Sequence, residues 1–208
     1  MDTTNEDPRV IRSRALILDA ARLCFAERGY DDTSVDDVAA RAGIAKRTIY
    51  NIYGDKESLF RASVTVSIGI AARFNTDLLE QVEALEDPEA DLPVLATRLA
   101  HDVLFGAVVG MRRLVAREAL RFPDLAADYR ERAPEAVIRT LSTGLAALAE
   151  RGRLAIGDPL IAAEHFAFLV LGAELDRRMF GDTRTSAADV EARAIAGAET
   201  FLRAYRPA

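Results

Sequence analysis

Gly29, Gly43 and Gly54 cut the beginning of the chain into three short segments, and each segment repeats its apolar residues with a helix's period rather than a strand's. From Arg9 to Arg28 the apolar positions Ile11, Ala15, Leu18, Ala21 and Phe25 recur at steps of three and four, and Gly29 is well placed as a C-terminal stop. The second segment opens at Thr33-Ser34. Either hydroxyl can cap it, with Asp36 or Asp37 three residues on in the capping-box place. It carries Val35, Val38, Ala39 and Ala42 and ends at Gly43. The third runs from about Ala45 to Ile52 before Gly54-Asp55 breaks it. Three short helices with a glycine in the second turn match a helix-turn-helix. On the third helix Ile49, Ile52 and Tyr53 share one face by i, i+3, i+4 spacing. Arg47, Tyr50 and Asn51 point roughly the opposite way, with Lys46 at the flank. Arg and Lys can donate to guanine edges or phosphates, Asn can pair bidentately with adenine, and Tyr can touch a phosphate or a thymine methyl.

The rest of the chain also reads as helix. A long segment starts at Lys56 and reaches the region of Leu85, where Asp87-Pro88 ends it. Helices follow over about Leu92 to Phe105 and Val108 to Arg121, the latter stopped by Phe122-Pro123. Another runs from Asp124 to Arg151, with Pro134 kinking or splitting it. Asp158-Pro159, a cap followed by proline at the first helical position, opens a helix to Phe180-Gly181. Ser186 and Asp189 open the last, to about Tyr205. The expectation is an all-α protein of about nine helices, with a boundary inside the helix after Asp55.

Composition narrows the function. Half of the 208 residues are apolar and 29% are charged, as in a folded globular protein. The net charge of −6 argues against a generally basic nucleic-acid coat. Between Arg41 and Lys56, however, Arg41, Lys46, Arg47 and Lys56 face one acid, Asp55, a local excess of the kind that DNA binding needs. Lys46 and Lys56 are also the chain's only lysines. Cys24, the sole cysteine, excludes an intrachain disulfide; it reads as a small core residue, with a redox sensor as the alternative. Met1 to Arg12 is polar and acidic, unlike a secretory leader, and no apolar run approaches the ~18 residues of a membrane span, so a cytoplasmic location is expected. His101-Asp102 and Glu164-His165 are sequence neighbours and so diverge on a helix. No catalytic residues, metal or cofactor are expected.

The runs Ile17-Leu18-Asp19-Ala20-Ala21 and Phe25-Ala26-Glu27-Arg28-Gly29-Tyr30 resemble the first helix of tetracycline-repressor (TetR) family regulators. Thr33 to Ile44 resembles their second helix and turn, and Thr48 to Leu59 their third helix and the start of the fourth. The resemblance implies a helix-turn-helix DNA-binding domain over 1–54 and a helical-bundle ligand-binding and dimerisation domain over 55–208. It places phosphate contacts at Tyr50, Lys56, Thr33 and Ser34, and leaves base reading to the variable outward positions Lys46, Arg47, Tyr50 and Asn51; Thr48 completes the candidate DNA-binding set. Two positions depart from the family. Ala45 stands where Ser or Thr is usual, which removes a cap worth about 1 kcal/mol. Arg47 stands where glycine is common and adds a long donor. The stretch Arg113 to Ala126 resembles the sensor domains of the AefR-like subgroup. By that resemblance a small molecule binds between the middle helices, where His101, Phe105, Met111, Tyr129 and Phe168 are candidate lining residues or ordinary core. The last two helices, about Pro159–Phe180 and Ala187–Tyr205, would form a homodimer on a palindromic operator, which the effector releases. A helix-turn-helix regulator governed by a protein partner, or a helical enzyme on a borrowed fold, are the alternatives.

Overall fold

A computed structural model describes residues 8–106 and 108–207. Among them ten helices form: α1 Pro8–Arg28, α2 Val35–Ala42, α3 Lys46–Tyr53, α4 Lys56–Glu83, α5 Pro88–Leu104, α6 Val108–Glu118, α7 Pro123–Arg132, α8 Pro134–Glu150, α9 Pro159–Met179 and α10 Ala187–Tyr205. The count exceeds nine because Pro134 splits the expected Asp124–Arg151 helix into α7 and α8; its ring takes the first position of α8, where no N–H is needed. Pro88 does the same for α5. Asp87 accepts from the Glu89 N–H, so α5 begins a turn before the expected Leu92.

By its contacts the chain divides into two units. The first comprises the described residues up to Gly69 together with Arg113–Tyr129. Its core is aromatic. Phe25, Tyr30, Phe60 and Phe122 interlock with ring centroids 5.0 to 6.1 Å apart, each such contact adding about 1 kcal/mol to area burial. The buried stripe of α1 is Ile17, Ala20, Ala21, Cys24 and Phe25. It differs from the expected one at its N-terminal end: Ile11 and Ala15 are exposed, because the stripe that reaches α2 is set from Ile17 onward. Val35, Val38 and Ile49 close α2 and α3 onto this core.

The second unit comprises Ile70–Arg112 and the residues from Arg130 onward. Leu92, Leu99, Leu141, Leu148, Phe166 and Phe201 lie at its centre, and α10 packs on both α5 and α9. It also buries one ion pair. The Arg178 guanidinium donates to Glu174 at 3.0 Å and to the carbonyls of Leu104 and Thr185 at 3.4 and 3.3 Å, and it lies 4.3 Å from the Phe105 ring. Each nitrogen of the buried guanidinium thereby finds an acceptor, as burial requires. This clamp ties the C-terminal end of α5 to α9 and to the turn before α10.

Helices α9 and α10 approach so closely at Gly197 that an added Cβ would lie 2.5 Å from the Leu169 carbonyl oxygen. Backbone cannot rotate aside as a side chain can. Gly197→Ala should therefore lower thermal stability by about 1–3 kcal/mol of overpacking, less the ~1 kcal/mol that Ala gains in helix propensity. Gly69→Ala, where an added Cβ meets nothing within 4 Å, should instead raise it slightly. Melting curves of both variants check the pair, and a Gly197→Ala protein as stable as Gly69→Ala would contradict the close approach.

Candidate nucleic-acid interface

Local chemistry fixes the two short helices of the turn. Ser34, not Thr33, is the cap of α2: its hydroxyl accepts from the Asp37 N–H at 3.1 Å, while the Asp37 carboxylate accepts from the Ser34 N–H at 2.9 Å. Gly43 ends α2 in the left-handed region, at φ 66°, which a residue with a Cβ adopts only at a cost. Ala45 caps α3 with its backbone in extended geometry and makes no side-chain bond, as expected of an alanine there. The first turn of α3 thus receives no side-chain cap, and its Thr48 N–H bonds back to the Ala45 carbonyl at 2.8 Å.

Each candidate DNA-binding residue has a definite place. Lys46, Arg47, Tyr50 and Asn51 form the exposed face of α3, opposite Ile49 at 1% exposure. Thr48 is half-buried at the edge of that face. Ser34 is exposed at the N-terminus of α2. Thr33 lies otherwise than expected. It is buried, and its hydroxyl donates to the carbonyls of Gly29 at 2.7 Å and Cys24 at 3.1 Å. Its hydrogen-bonding capacity is spent closing α1 onto the following loop, and it is not available to a phosphate.

The cations differ in how they are held. Arg41 pairs bidentately with Glu27 at 2.9 Å and is an internal tie of α2 to α1. Lys46 donates to Asp36 at 2.7 Å, which raises its pKa. The Lys56 ammonium lies 4.5 Å from the Tyr30 ring and donates to the Asp31 carbonyl at 3.1 Å, and among the described residues no carboxylate pairs with it. Arg47 is exposed and in no ion pair among the described residues. Sequence reasoning missed Asp36 as the keeper of Lys46, although a carboxylate on the adjacent helix next to a cluster of cations was a readable signal.

The effector candidates are more scattered. The His101 and Phe105 rings lie 5.6 Å apart, tilted, at the C-terminal end of α5, His101 exposed and Phe105 against Arg178. Met111 is buried on α6. Tyr129 is buried in the first unit. Phe168 is 65% exposed on α9, in an apolar stripe with Ile161 and Leu169, and so is no core residue of a single chain. Among the described residues no group of three metal ligands occurs, and no single helix is long and apolar enough to cross a membrane.

An all-helical chain that displays Lys46, Arg47, Tyr50 and Asn51 on the second helix of a helix-turn-helix is of the DNA-binding regulator class. The model for bacterial regulatory proteins of the tetR family matches residues 17–63, and that for the C-terminal domain of AefR-like transcriptional repressors matches 90–207. The chain belongs to the TetR family of transcriptional regulators, with a C-terminal domain of the AefR-like kind. It is 31% identical over 140 residues to the HTH-type transcriptional repressor Rv1474c of Mycobacterium tuberculosis, a match covering 67% of this chain and 68% of that one. A crystal structure from Mesorhizobium loti, assigned to the TetR family, superposes with a TM-score of 0.86 at 30% identity, covering 96% of this chain and all of that one. The flavonoid-responsive regulator FrrA superposes with a TM-score of 0.66 at 29% identity, covering 94% and 98% of the two chains. The family is one of DNA-binding regulators, not of enzymes.

The cap of α2 predicts an acid-dependent contribution to stability. The Ser34 hydroxyl and N–H, and then Arg28, hold the Asp37 carboxyl down to about 2, from an ordinary 3.8. A depressed folded-state pKa means that the stabilisation is complete above the unfolded value and is lost as pH falls through the folded one. Wild type should therefore exceed Asp37→Asn in melting temperature near neutrality, and the gap should close between about pH 4 and pH 2. A gap independent of pH would remove the Asp37 charge as its source.

Proposed function

We propose that the protein is a dimeric repressor that binds a palindromic operator through the exposed face of α3 and is released by a small-molecule effector. The observation that carries the reading is that face itself: Arg47 and Asn51, the two side chains best suited to base edges, stand exposed beside Tyr50 while Ile49 anchors the helix beneath them. Ser34, at the α2 N-terminus, and Lys56, at the start of α4, supply phosphate contacts on either side; Thr48 reaches the edge of the same surface. Lys46 serves a phosphate once it leaves Asp36. One recognition helix reads too few base pairs for useful specificity, and two-fold symmetry doubles the site.

The second copy is proposed to pack on α9 and α10. Ile161, Phe168 and Leu169 recur at helical spacing on the outer face of α9, and apolar side chains at 43% to 65% exposure suit a protein partner better than water. The effector is proposed to act near the C-terminal end of α5, where His101 and Phe105 precede α6, the helix that carries the buried Met111. Phe168 is assigned to the dimer face instead, and Tyr129 to the core of the first unit. The likeness to a flavonoid-responsive regulator supports a small-molecule effector over a protein partner. The effector would act by preferring the state that does not bind DNA, since equal affinity for both states shifts nothing.

Two experiments test these assignments. Phe168→Asp should sediment as a single chain at micromolar concentration where wild type sediments as two, and it should lose operator binding. A Phe168→Asp dimer would move the interface elsewhere. On genomic fragments selected by the protein, Lys56→Ala should weaken operator and scrambled DNA alike and lower the slope of log affinity against log salt by about one per half-site. Arg47→Ala should chiefly relax the preference at one base position, worth about 1–3 kcal/mol. Equal loss of both DNAs in Arg47→Ala would make Arg47 a phosphate contact.

A further inference from the structure

The first unit contains a segment that no helix-turn-helix needs: the end of α6 and the turn into α7, within Arg113–Tyr129. Its side chains converge on the loop between α1 and α2. The Glu118 carboxylate accepts from the Tyr30 N–H at 3.2 Å. The Arg117 guanidinium occupies the space that a side chain at position 29 would need, 2.3 Å from the place of a Cβ, and Gly29 is at φ 89°. Arg121 donates to the Asp31 carboxylate at 2.5 Å and sets its guanidinium carbon 4.3 Å from the Tyr30 ring centroid.

The same two loop residues carry Lys56. Its ammonium lies 4.5 Å from the Tyr30 ring and donates to the Asp31 carbonyl. Tyr30 thus has a cation on its ring from each of two distant positions, and Asp31 serves one with its carboxylate and the other with its backbone. The division of labour has an electrostatic consequence. A carboxylate beside an ammonium competes with phosphate for it, whereas a carbonyl and a ring face steady the ammonium and leave its charge intact. Arg121 takes up the carboxylate.

We propose that Arg121 is a positioning residue for DNA binding: it withdraws the Asp31 carboxylate and fixes the Tyr30 ring, so that the Lys56 ammonium stays available to a backbone phosphate. In this arrangement Arg121 is engaged by the Asp31 carboxylate through Nη1 and by the Tyr30 ring, and it acts on DNA through Lys56 rather than by its own contact. The proposal rests on the reading of Lys56 as a phosphate contact, and the variants below separate the two.

The experiment is a salt titration of binding by the full-length protein to a selected genomic fragment and to a mixed-sequence duplex, with a melting curve for each variant. Arg121→Ala should weaken binding to both DNAs by about two- to fivefold, the scale of an exposed ion pair, and leave the salt slope unchanged. Added to Lys56→Ala, it should cost nothing further. Asp31→Asn alone should bind at least as well as wild type, and Asp31→Asn with Arg121→Ala should recover the loss, because no carboxylate remains to capture Lys56. A purely structural Arg121 would show no such recovery. A salt slope lowered by Arg121→Ala, with losses that multiply those of Lys56→Ala, would make Arg121 a phosphate contact and overturn the proposal. So would an Arg121→Ala protein that binds normally while Lys56→Ala does not, or a double variant that fails to recover. If Lys56→Ala itself binds like wild type, the reading of Lys56 falls and takes the proposal with it.

Discussion

Two helices of eight residues each cannot hold their shape in water alone; nucleating them costs more than their few hydrogen bonds return. The reading surface of this protein therefore depends on burial beneath it. Phe25 from α1, Tyr30 from the loop, Phe60 from α4 and Phe122 from the α6–α7 turn form one interlocked aromatic core, three of them at 4% exposure or less. Val35, Val38 and Ile49 extend it under α2 and α3. Because α4 supplies both Phe60 to this core and Lys56 to the surface, the placement of a charged side chain is set by the packing of an aromatic one four residues along, a single turn of the helix.

Much of this was legible in the sequence because it is local. Gly29, Gly43 and Gly54 act on the chain next to them, and all three take positive φ. The apolar face of α3 followed from a spacing of three and four. The choice between Thr33 and Ser34 was not legible, since both hydroxyls have cap chemistry. It was decided by the carbonyls of Cys24 in α1 and of Gly29 just after it, which accept from Thr33 and so leave Ser34 to cap. Pro134 likewise permitted a kink or a break, and packing chose the break.

What stayed hidden was non-local. Arg121 and Asp31 are ninety positions apart, and nothing in either neighbourhood announces the other. The Glu174–Arg178 pair sits at i, i+4 spacing, which by itself does not tell burial; the turn before α10 and the end of α5 make it a buried clamp. Phe168 reads as core in a long apolar run, yet it faces outward from its own chain. A periodic pattern tells that a side chain is to be covered, not which molecule covers it.

The ion pair between Asp36 and Lys46 bears on how this surface would meet a ligand. A free lysine side chain samples many rotamers and gives up about 2 kcal/mol of rotamer entropy when it is pinned. Here part of that loss already falls on the unbound protein. Transfer of the ammonium from Asp36 to a phosphate is then an exchange of one anion for another, and its strength is the difference between two similar bonds. On the proposed reading of this face, such an exchange would make Lys46 contribute more to the choice of binding geometry than to adhesion.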